Sequence, residues 1–341
     1  MTGAHDCANL LPTDPLETGR HRLAGGWVRF TECELLQRGQ APRVTADIPA
    51  DVLERLTAPR PDVLGLAMDR PRIMAILNAT PDSFSDGGLV GGTDGAIARG
   101  RELVAQGADI LDIGGQSTRP GAAEVAVADE TARICPAIAG LQGLAPISAD
   151  TRKGDVARAA VQAGAEMVND VSGFDFDPRM AGIVAETGAA VCIMHAQGLP
   201  ENMQDDPRYG DVLLDVYDAL HERVQRAFAA GIPADRIVID PGIGFGKTEA
   251  HNLAILRRIS VYHGLGLPIL LGLSRKRFVG RIGGAEAPQA RMPGTLALTL
   301  EGMGQGVQIH RVHDVADINQ GLRLWRALHM GKDDEQKDLR D

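Results

Sequence analysis

Five times along this chain an apolar run breaks off abruptly into a polar loop. Ile73 to Leu77 hands over to Asn78-Ala-Thr-Pro-Asp-Ser-Phe-Ser-Asp-Gly-Gly88. Ile110-Leu-Asp-Ile113 opens into Gly114-Gly-Gln-Ser-Thr-Arg-Pro-Gly121, and Ile237-Val-Ile239 into Asp240-Pro-Gly-Ile-Gly-Phe-Gly-Lys247. Ile269-Leu-Leu271 opens into Gly272-Leu-Ser-Arg-Lys276, and Val307-Gln-Ile309 into His310-Arg-Val-His-Asp314. A short apolar run with no polar alternation suits a parallel strand buried on both faces. Polar and charged residues collected at the C-terminal ends of such strands build a site at one open end of an α/β barrel.

The strand-like runs number eight, at 72–78, 108–114, 145–150, 167–171, 190–195, 237–241, 268–274 and 307–312. Helical patterns between them include Asp94–Gln106, Asp155–Ala163, Arg179–Thr187, Val212–Ala230, His251–Tyr262 and Gly294–Gly304, and Asp314–Leu328 closes the series. Gly107, Gly164, Gly188 and Gly231 fall just past helix ends, where a left-handed cap belongs. Strands alternating with helices give a parallel sheet. Eight units over about 260 residues fit a closed (β/α)8 TIM barrel better than an open sheet. Residues 1–70 read as an N-terminal extension of small elements packed on the barrel. Trp27 and Phe30 lie there in an alternating stretch, and a short helix is expected near Asp51 to Leu56. The barrel takes 71–330, and 331–341 is a charged, frayed tail.

The formal charge of −10 argues against a protein that coats nucleic acid or an anionic membrane, while leaving room for a local basic pocket. Cys7, Cys33, Cys135 and Cys192 form no C-x-x-C pair, which fits a reducing cytoplasm and neither a disulfide framework nor a zinc site. No signal peptide and no membrane-spanning apolar run is visible.

Candidate site residues cluster on the strand-end loops. Asn78 stands at the mouth of the first strand, where an amide oxygen can ligate a hard cation such as Mg2+. Asp82 to Gly88 are equally explained as a solvated loop with Asx turns. Thr118 and Arg119, ahead of Pro120, suit a phosphate clamp, although an exposed arginine needs no such role. Asp150 and Asn169 end the third and fourth strands, while Thr151 and Asp170 suit helix caps. Asp240 can accept parallel N–H bonds from a planar heterocycle edge, and Phe245 can cover a ring. The segment after Asp240 is not a P-loop, because its glycine spacing is wrong. Lys276 follows Ser274 past the seventh strand, and Arg311 and His313 alternate on one side at the end of the eighth. Those two loops are the common phosphate site of such barrels. His195 is open between structural and site roles. Lys247 reads as structural, and His251 and His263 as ordinary surface or helix residues. No Ser-His-Asp order, H-E-x-x-H or strand-following G-x-G-x-x-G is present.

Taken together, these motifs resemble the dihydropteroate synthases, the pterin-dependent enzymes of folate synthesis that sulfonamides inhibit. The matching segments are Ile76 to Gly88, Gly114 to Ala122, Ser148 to Thr151, Val168 to Asp170, Met194-His195, Ile239 to Lys247, Gly272 to Lys276 and Arg311 to Asp314. The likeness spans about residues 71–330. It implies a transferase that joins 6-hydroxymethyl-7,8-dihydropterin pyrophosphate to p-aminobenzoate, giving 7,8-dihydropteroate and pyrophosphate. It implies Mg2+ on Asn78, and a pterin held by Asp150, Asn169, Asp240 and Lys276. Thr118, Arg119, Arg311 and His313 would hold pyrophosphate, with Val312 beside them. Phe245, Ser274 and the Arg119-Pro120 loop would border the p-aminobenzoate pocket. Arg119, Lys276, Arg311 and His313 would carry the catalytic charge. A homodimer is implied by the resemblance alone.

Three departures stand out: Gln116 where the family usually carries Glu, and Ala79 and Ala149 in place of Val. The extension is also longer than in minimal members. The alternatives are a non-catalytic pterin-binding paralogue or partner subunit, to which Gln116 points, and a methyltetrahydrofolate-dependent methyltransferase. The latter shares the pterin barrel but needs neither the first two loops nor the Arg311 and His313 pair. A generic phosphate-binding barrel would leave Asp150, Asn169 and Asp240 together unexplained.

Overall fold

The structure, a computed structural model, describes residues 10–12, 19–79, 92–117, 124–198, 203 and 205–329. Eight parallel strands form the barrel: β1 (Arg72–Asn78), β2 (Ile110–Gly114), β3 (Ile147–Asp150), β4 (Met167–Asp170), β5 (Ala190–Met194), β6 (Ile237–Asp240), β7 (Leu270–Leu271) and β8 (Ile309–Val312). Their order in the sheet is β6-β5-β4-β3-β2-β1-β8-β7. A parallel bridge between Ile239 and Ile269 brings the two ends together. Every residue of β2 to β6 is buried, so these strands are mostly apolar, with polar side chains such as Asp112, Asp150, Asn169 and Asp240 enclosed among them.

The seventh strand is shorter than its sequence pattern. Pro268 has no N–H to give the ladder, and the Ile269 N–H goes to the Gln308 side chain at 2.9 Å instead of to a backbone carbonyl.

Nine helices of the described residues surround the strands: α1 (Thr93–Ala105), α2 (Val127–Leu141), α3 (Gly154–Gln162), α4 (Met180–Thr187), α5 (Val212–Ala229), α6 (Glu249–Arg257), α7 (Arg277–Gly283), α8 (Met292–Gly304) and α9 (Val315–His329). The sequence pattern blurs at α2, whose interior holds Pro136. The single helix expected over 251–262 divides in two. α6 ends at Arg257, and a 3-10 helix, Ile259–Leu265, buries Ile259 through Gly264. His263 is therefore fully buried and not a surface residue. The four glycines placed past helix ends all have positive φ. No helix among the described residues is long and apolar enough to cross a membrane.

Below the strands, Met74, Ile110, Met167, Cys192, Val238, Leu270 and Ile309 pack into a floor with Val63 and Met68 of the preceding segment. An apolar plug here leaves only the opposite end open to a ligand. The N-terminal segment also forms a core of its own, in which Leu23, Val28, Phe30, Cys33 and Val52 meet Leu56 of the helix Ala50–Thr57. Phe30 and Leu56 are completely buried, each contributing about 2 kcal/mol. Trp27 Nε1 donates to the Met303 carbonyl on α8 at 2.8 Å, and Arg60 to the His263 carbonyl at 2.8 Å. Arg258 pairs with Glu34 at 2.8 Å. The charged tail, 331–341, lies outside the described residues.

Candidate active site

Strand register sets the site. β2 pairs with β3 so that Gly114 lies opposite Asp150, and β3 with β4 so that Asp150 lies opposite Asn169. A Cβ on Gly114 would come within 3.3 Å of the Asp150 Cβ, so the absent side chain gives the carboxylate its room. From β8, which pairs with β1 on the side away from β2, Arg311 reaches in. Its Nε donates to Asp112 Oδ2 at 2.6 Å and its Nη2 to Asp150 Oδ2 at 2.6 Å. Asn169 Nδ2 donates to the same Asp112 oxygen at 3.1 Å.

Burial raises the Asp150 pKa, the Arg311 guanidinium opposes that rise, and Asp112 adds to it. One guanidinium is shared by two acids, and the second oxygens, Asp112 Oδ1 and Asp150 Oδ1, are buried with no hydrogen-bond partner among the described residues. Buried acceptors of this kind are costly unless something donates to them.

Asp240, at the end of β6, is also buried. Its Oδ1 accepts from the Gly242 N–H at 2.7 Å, and burial raises its pKa against the pull of Lys276. The Lys276 ammonium bonds the Ile243 carbonyl and sits 4.2 Å from the centre of the Phe245 ring. Desolvation pushes this lysine down to about 7, opposed by Asp240. Asp112, Asp150, Asn169, Asp240, Lys276 and Arg311 thus face one open end of the barrel.

A second corner lies on the last two strand loops. Ser274 Oγ meets the His313 backbone N–H at 3.2 Å and His313 Nδ1 at 2.9 Å. The Arg275 guanidinium is turned away into a two-bond pair with Asp314. Arg311 and His313, expected on one side, take different partners: the arginine is held by the two acids, the histidine by Ser274. Val312 between them is buried. Asn78 is exposed at the end of β1.

Thr118, Arg119 and Pro120 lie outside the described residues, as do Thr80 through Gly88. At the described ends of the second loop, Lys153 Nζ bonds Gln116 Oε1 at 2.5 Å and Glu130 at 2.7 Å. Thr151 and Asp170 do not cap helices. Thr151 donates to Glu130 at 2.7 Å, and Asp170 accepts from Ser172 and Phe174 within its own turn. His195 packs inward, its Nδ1 2.9 Å from the buried Lys247 ammonium. Burial and that neighbouring cation push the imidazole down to about 2, so it is neutral.

Sequence reasoning passed over Asp112. The signal was available: a carboxylate inside the apolar run Ile110-Leu-Asp-Ile113 cannot sit in a buried strand without a partner. It also passed over the Lys153 and Glu130 pair, whose members are far apart in sequence and meet only through the fold.

Comparisons with known proteins point to one family. The family model described as pterin binding enzyme matches residues 74–313. The dihydropteroate synthase of Escherichia coli (strain K12) is 39% identical over 273 residues, covering 80% of this chain and 96% of that protein. The Xanthomonas albilineans dihydropteroate synthase solved with 4-aminobenzoic acid superposes with a TM-score of 0.75 at 45% identity, over 80% of this chain and 99% of that one. The same enzyme in complex with 7,8-dihydropteroate gives a TM-score of 0.72 at 42% identity, over 80% and 100%. The chain belongs to the dihydropteroate synthase family of pterin-binding enzymes.

Proposed function

We propose that this barrel condenses 6-hydroxymethyl-7,8-dihydropterin pyrophosphate with p-aminobenzoate through the residues gathered at its mouth. One observation carries the assignment of roles: two buried carboxylate oxygens, on Asp112 and Asp150, lack partners among the described residues, at the same strand ends that carry Asn169 and Asp240. A pterin edge presents the N–H donors such oxygens need. The Xanthomonas structures with 4-aminobenzoic acid and 7,8-dihydropteroate support the same pair of ligands for this chain.

In this reading the exocyclic C–O bond of the pterin breaks first. Its electron pair leaves with pyrophosphate, and the electron-rich dihydropterin spreads the resulting positive charge. The neutral arylamine then forms the C–N bond and gives up a proton to solvent, so no dedicated general base is required. Arg311 uses Nε and Nη2 on Asp112 and Asp150, which leaves Nη1 to meet the departing anion. His313, braced by Ser274, adds a donor, with Thr118 and Arg119 assigned to the same anion by resemblance. Phe245, Ser274 and Pro120 are assigned to the p-aminobenzoate pocket, and Lys276 to the space between the substrates.

Asn78 offers one exposed amide oxygen, and the described residues contain no group of three or more acidic, histidine or cysteine side chains able to cage an ion. That donor set fits Mg2+ retaining waters and taking its remaining ligands from pyrophosphate. When bound, the ion supplies further neutralisation of the leaving charge.

Two further readings accompany this one. Leu324 and Leu328, one turn apart on α9, are 68% and 75% exposed, which supports pairing of two chains along that helix. A mass measured by light scattering at twice the chain mass, falling on dilution, is the expected result. Cys33, Cys135 and Cys192 are free thiols, which suits a reducing cytoplasm.

The deciding assay is pyrophosphate release from the pterin substrate with Mg2+, with and without p-aminobenzoate. Release coupled to 7,8-dihydropteroate formation is expected. Pterin binding without product would instead make the chain the non-catalytic paralogue that Gln116 suggested.

A further inference from the structure

Lys247 is only 2% exposed, yet none of its hydrogen-bond partners carries a charge. Its ammonium lies 2.9 Å from His195 Nδ1, 2.9 Å from the Gly242 carbonyl, 3.0 Å from the Phe245 carbonyl and 3.3 Å from the His195 carbonyl. An ammonium sunk among neutral acceptors is expensive, and burial pulls its pKa far down. The neighbourhood that holds it is the loop 241–247, which leads directly from Asp240.

That loop is organised from two sides. From beneath, Lys247 takes the carbonyls of Gly242 and Phe245. From the mouth, Lys276 takes the carbonyl of Ile243 between them and rests over the Phe245 ring. Tyr209 Oη donates to the Gly246 carbonyl at 2.7 Å, and Asn252 Oδ1 accepts the Gly244 N–H at 2.7 Å. The backbone lies flat on the preceding strand loop. A Cβ on Gly242 would fall 1.9 Å from the His195 carbonyl oxygen, and one on Gly246 2.2 Å from that of Gln197. Gly242, at φ +68°, also gives its N–H to Asp240.

We propose that Lys247 is a positioning residue for the reaction, fixing through the loop 241–247 the place of the Phe245 ring and the Lys276 ammonium, against which the arylamine approaches. It rests on the proposed synthase reading and adds a residue that touches neither substrate. Asp112, Asp150, Asn169 and Arg311 belong to other strands. Of the pterin residues only Asp240, through the Gly242 N–H, and Lys276, through the Ile243 carbonyl, touch this loop, whereas Phe245 lies within it, so loss of Lys247 falls more heavily on p-aminobenzoate than on a pterin that keeps its other anchors.

The test is Lys247→Met, which keeps the length of the side chain and removes its charge and donors. In the folded variant the KM for p-aminobenzoate rises about tenfold and kcat/KM for it falls about a hundredfold, the scale of a misplacement near 1 Å. The KM for the pterin substrate moves less than about threefold, under 1 kcal/mol. A structural residue alone would lower the thermal midpoint and the active fraction with both KM values unchanged, and that result overturns the proposal. Should Lys247→Met not fold, Tyr209→Phe removes another anchor of the same loop. A p-aminobenzoate KM raised severalfold supports the proposal, and an unchanged KM overturns it. Wild-type protein that makes no product fails the synthase reading itself, a result distinct from active wild type with an unaltered variant.

Discussion

Arg311 Nε and Asp112 Oδ2 lie 2.6 Å apart over the intervening strand β1, and this contact joins the anion-facing edge of the site to its heterocycle-facing floor. The Asp112 side chain is fully buried, and it shares the guanidinium with Asp150. Asp112→Asn removes one of the two charges while preserving shape. The expected result is a loss of about 3 kcal/mol in stability, from breaking a buried pair on one side, and at least a hundredfold loss in kcat/KM for the pterin substrate, from a misoriented Arg311. Equilibrium denaturation and steady-state kinetics on one preparation check both. Unaltered pterin kinetics would remove Asp112 from the site.

The Gln116 amide is the departure on which the function question turned, and its place explains why it is tolerated. Lys153 keeps a buried carboxylate partner in Glu130, so Gln116 supplies an acceptor but not the neutralising charge. Gln116→Glu exchanges a neutral acceptor for an ionised one, about 1 kcal/mol stronger. A thermal midpoint a few degrees higher, with kcat changed less than about threefold, is the expected outcome. A large gain in turnover would mean that the amide limits the reaction.

What the sequence disclosed and what it withheld separate along physical lines. Strand-end residues such as Asp150, Asn169 and Asp240 announced themselves because a buried parallel strand stops where polarity starts. Arg311 was visible for the same reason, but not its partners, because a contact between β2 and β8 depends on β8 pairing with β1 and leaves no local pattern. Lys247 looked structural by its place after a glycine-rich turn. Its relation to Lys276 appears only when the alternating carbonyls of 242, 243 and 245 are seen on opposite sides of the loop. His263 lies just past the helix expected over 251–262, and its burial was hidden because the 3-10 segment Ile259–Leu265 carries it into the core.

Lys276 and Asp150 predict the pH profile. Burial raises Asp150 to about 7 and lowers Lys276 to about 7. Asp150 must be ionised to accept from the pterin, a condition lost as pH falls. Lys276 must be protonated to lend its charge, a condition lost as pH rises. The kcat/KM for the pterin substrate should therefore be bell-shaped with its maximum near neutrality, the two limbs belonging to the coupled set and not to isolated groups. Lys276→Arg, whose charge persists at every working pH, should flatten the alkaline limb and keep the acid one. An alkaline limb that survives this substitution would belong to some other group.

His263 gives the corresponding prediction for stability. Its Nε2 donates to the Gln305 carbonyl at 3.1 Å, its Nδ1 is buried without a partner among the described residues, and its own carbonyl accepts from Arg60. Burial, reinforced by the Arg60 charge, lowers its pKa to about 3 from an ordinary 6.5. Below pH 6.5 the unfolded chain binds a proton there that the folded chain refuses. Stability is therefore present in full above that pH and declines as pH falls toward 3, by about 1.4 kcal/mol per pH unit at the steepest. His195, lowered to about 2, adds a parallel loss over the same range. Replacing His263 by Gln keeps a donor for the Gln305 carbonyl and removes the titration. Urea unfolding at pH 7, 6 and 5 should then show a shallower loss than wild type, by about 1 kcal/mol between pH 6 and 5. Parallel pH dependences in the two proteins would place the acid-sensitive group elsewhere.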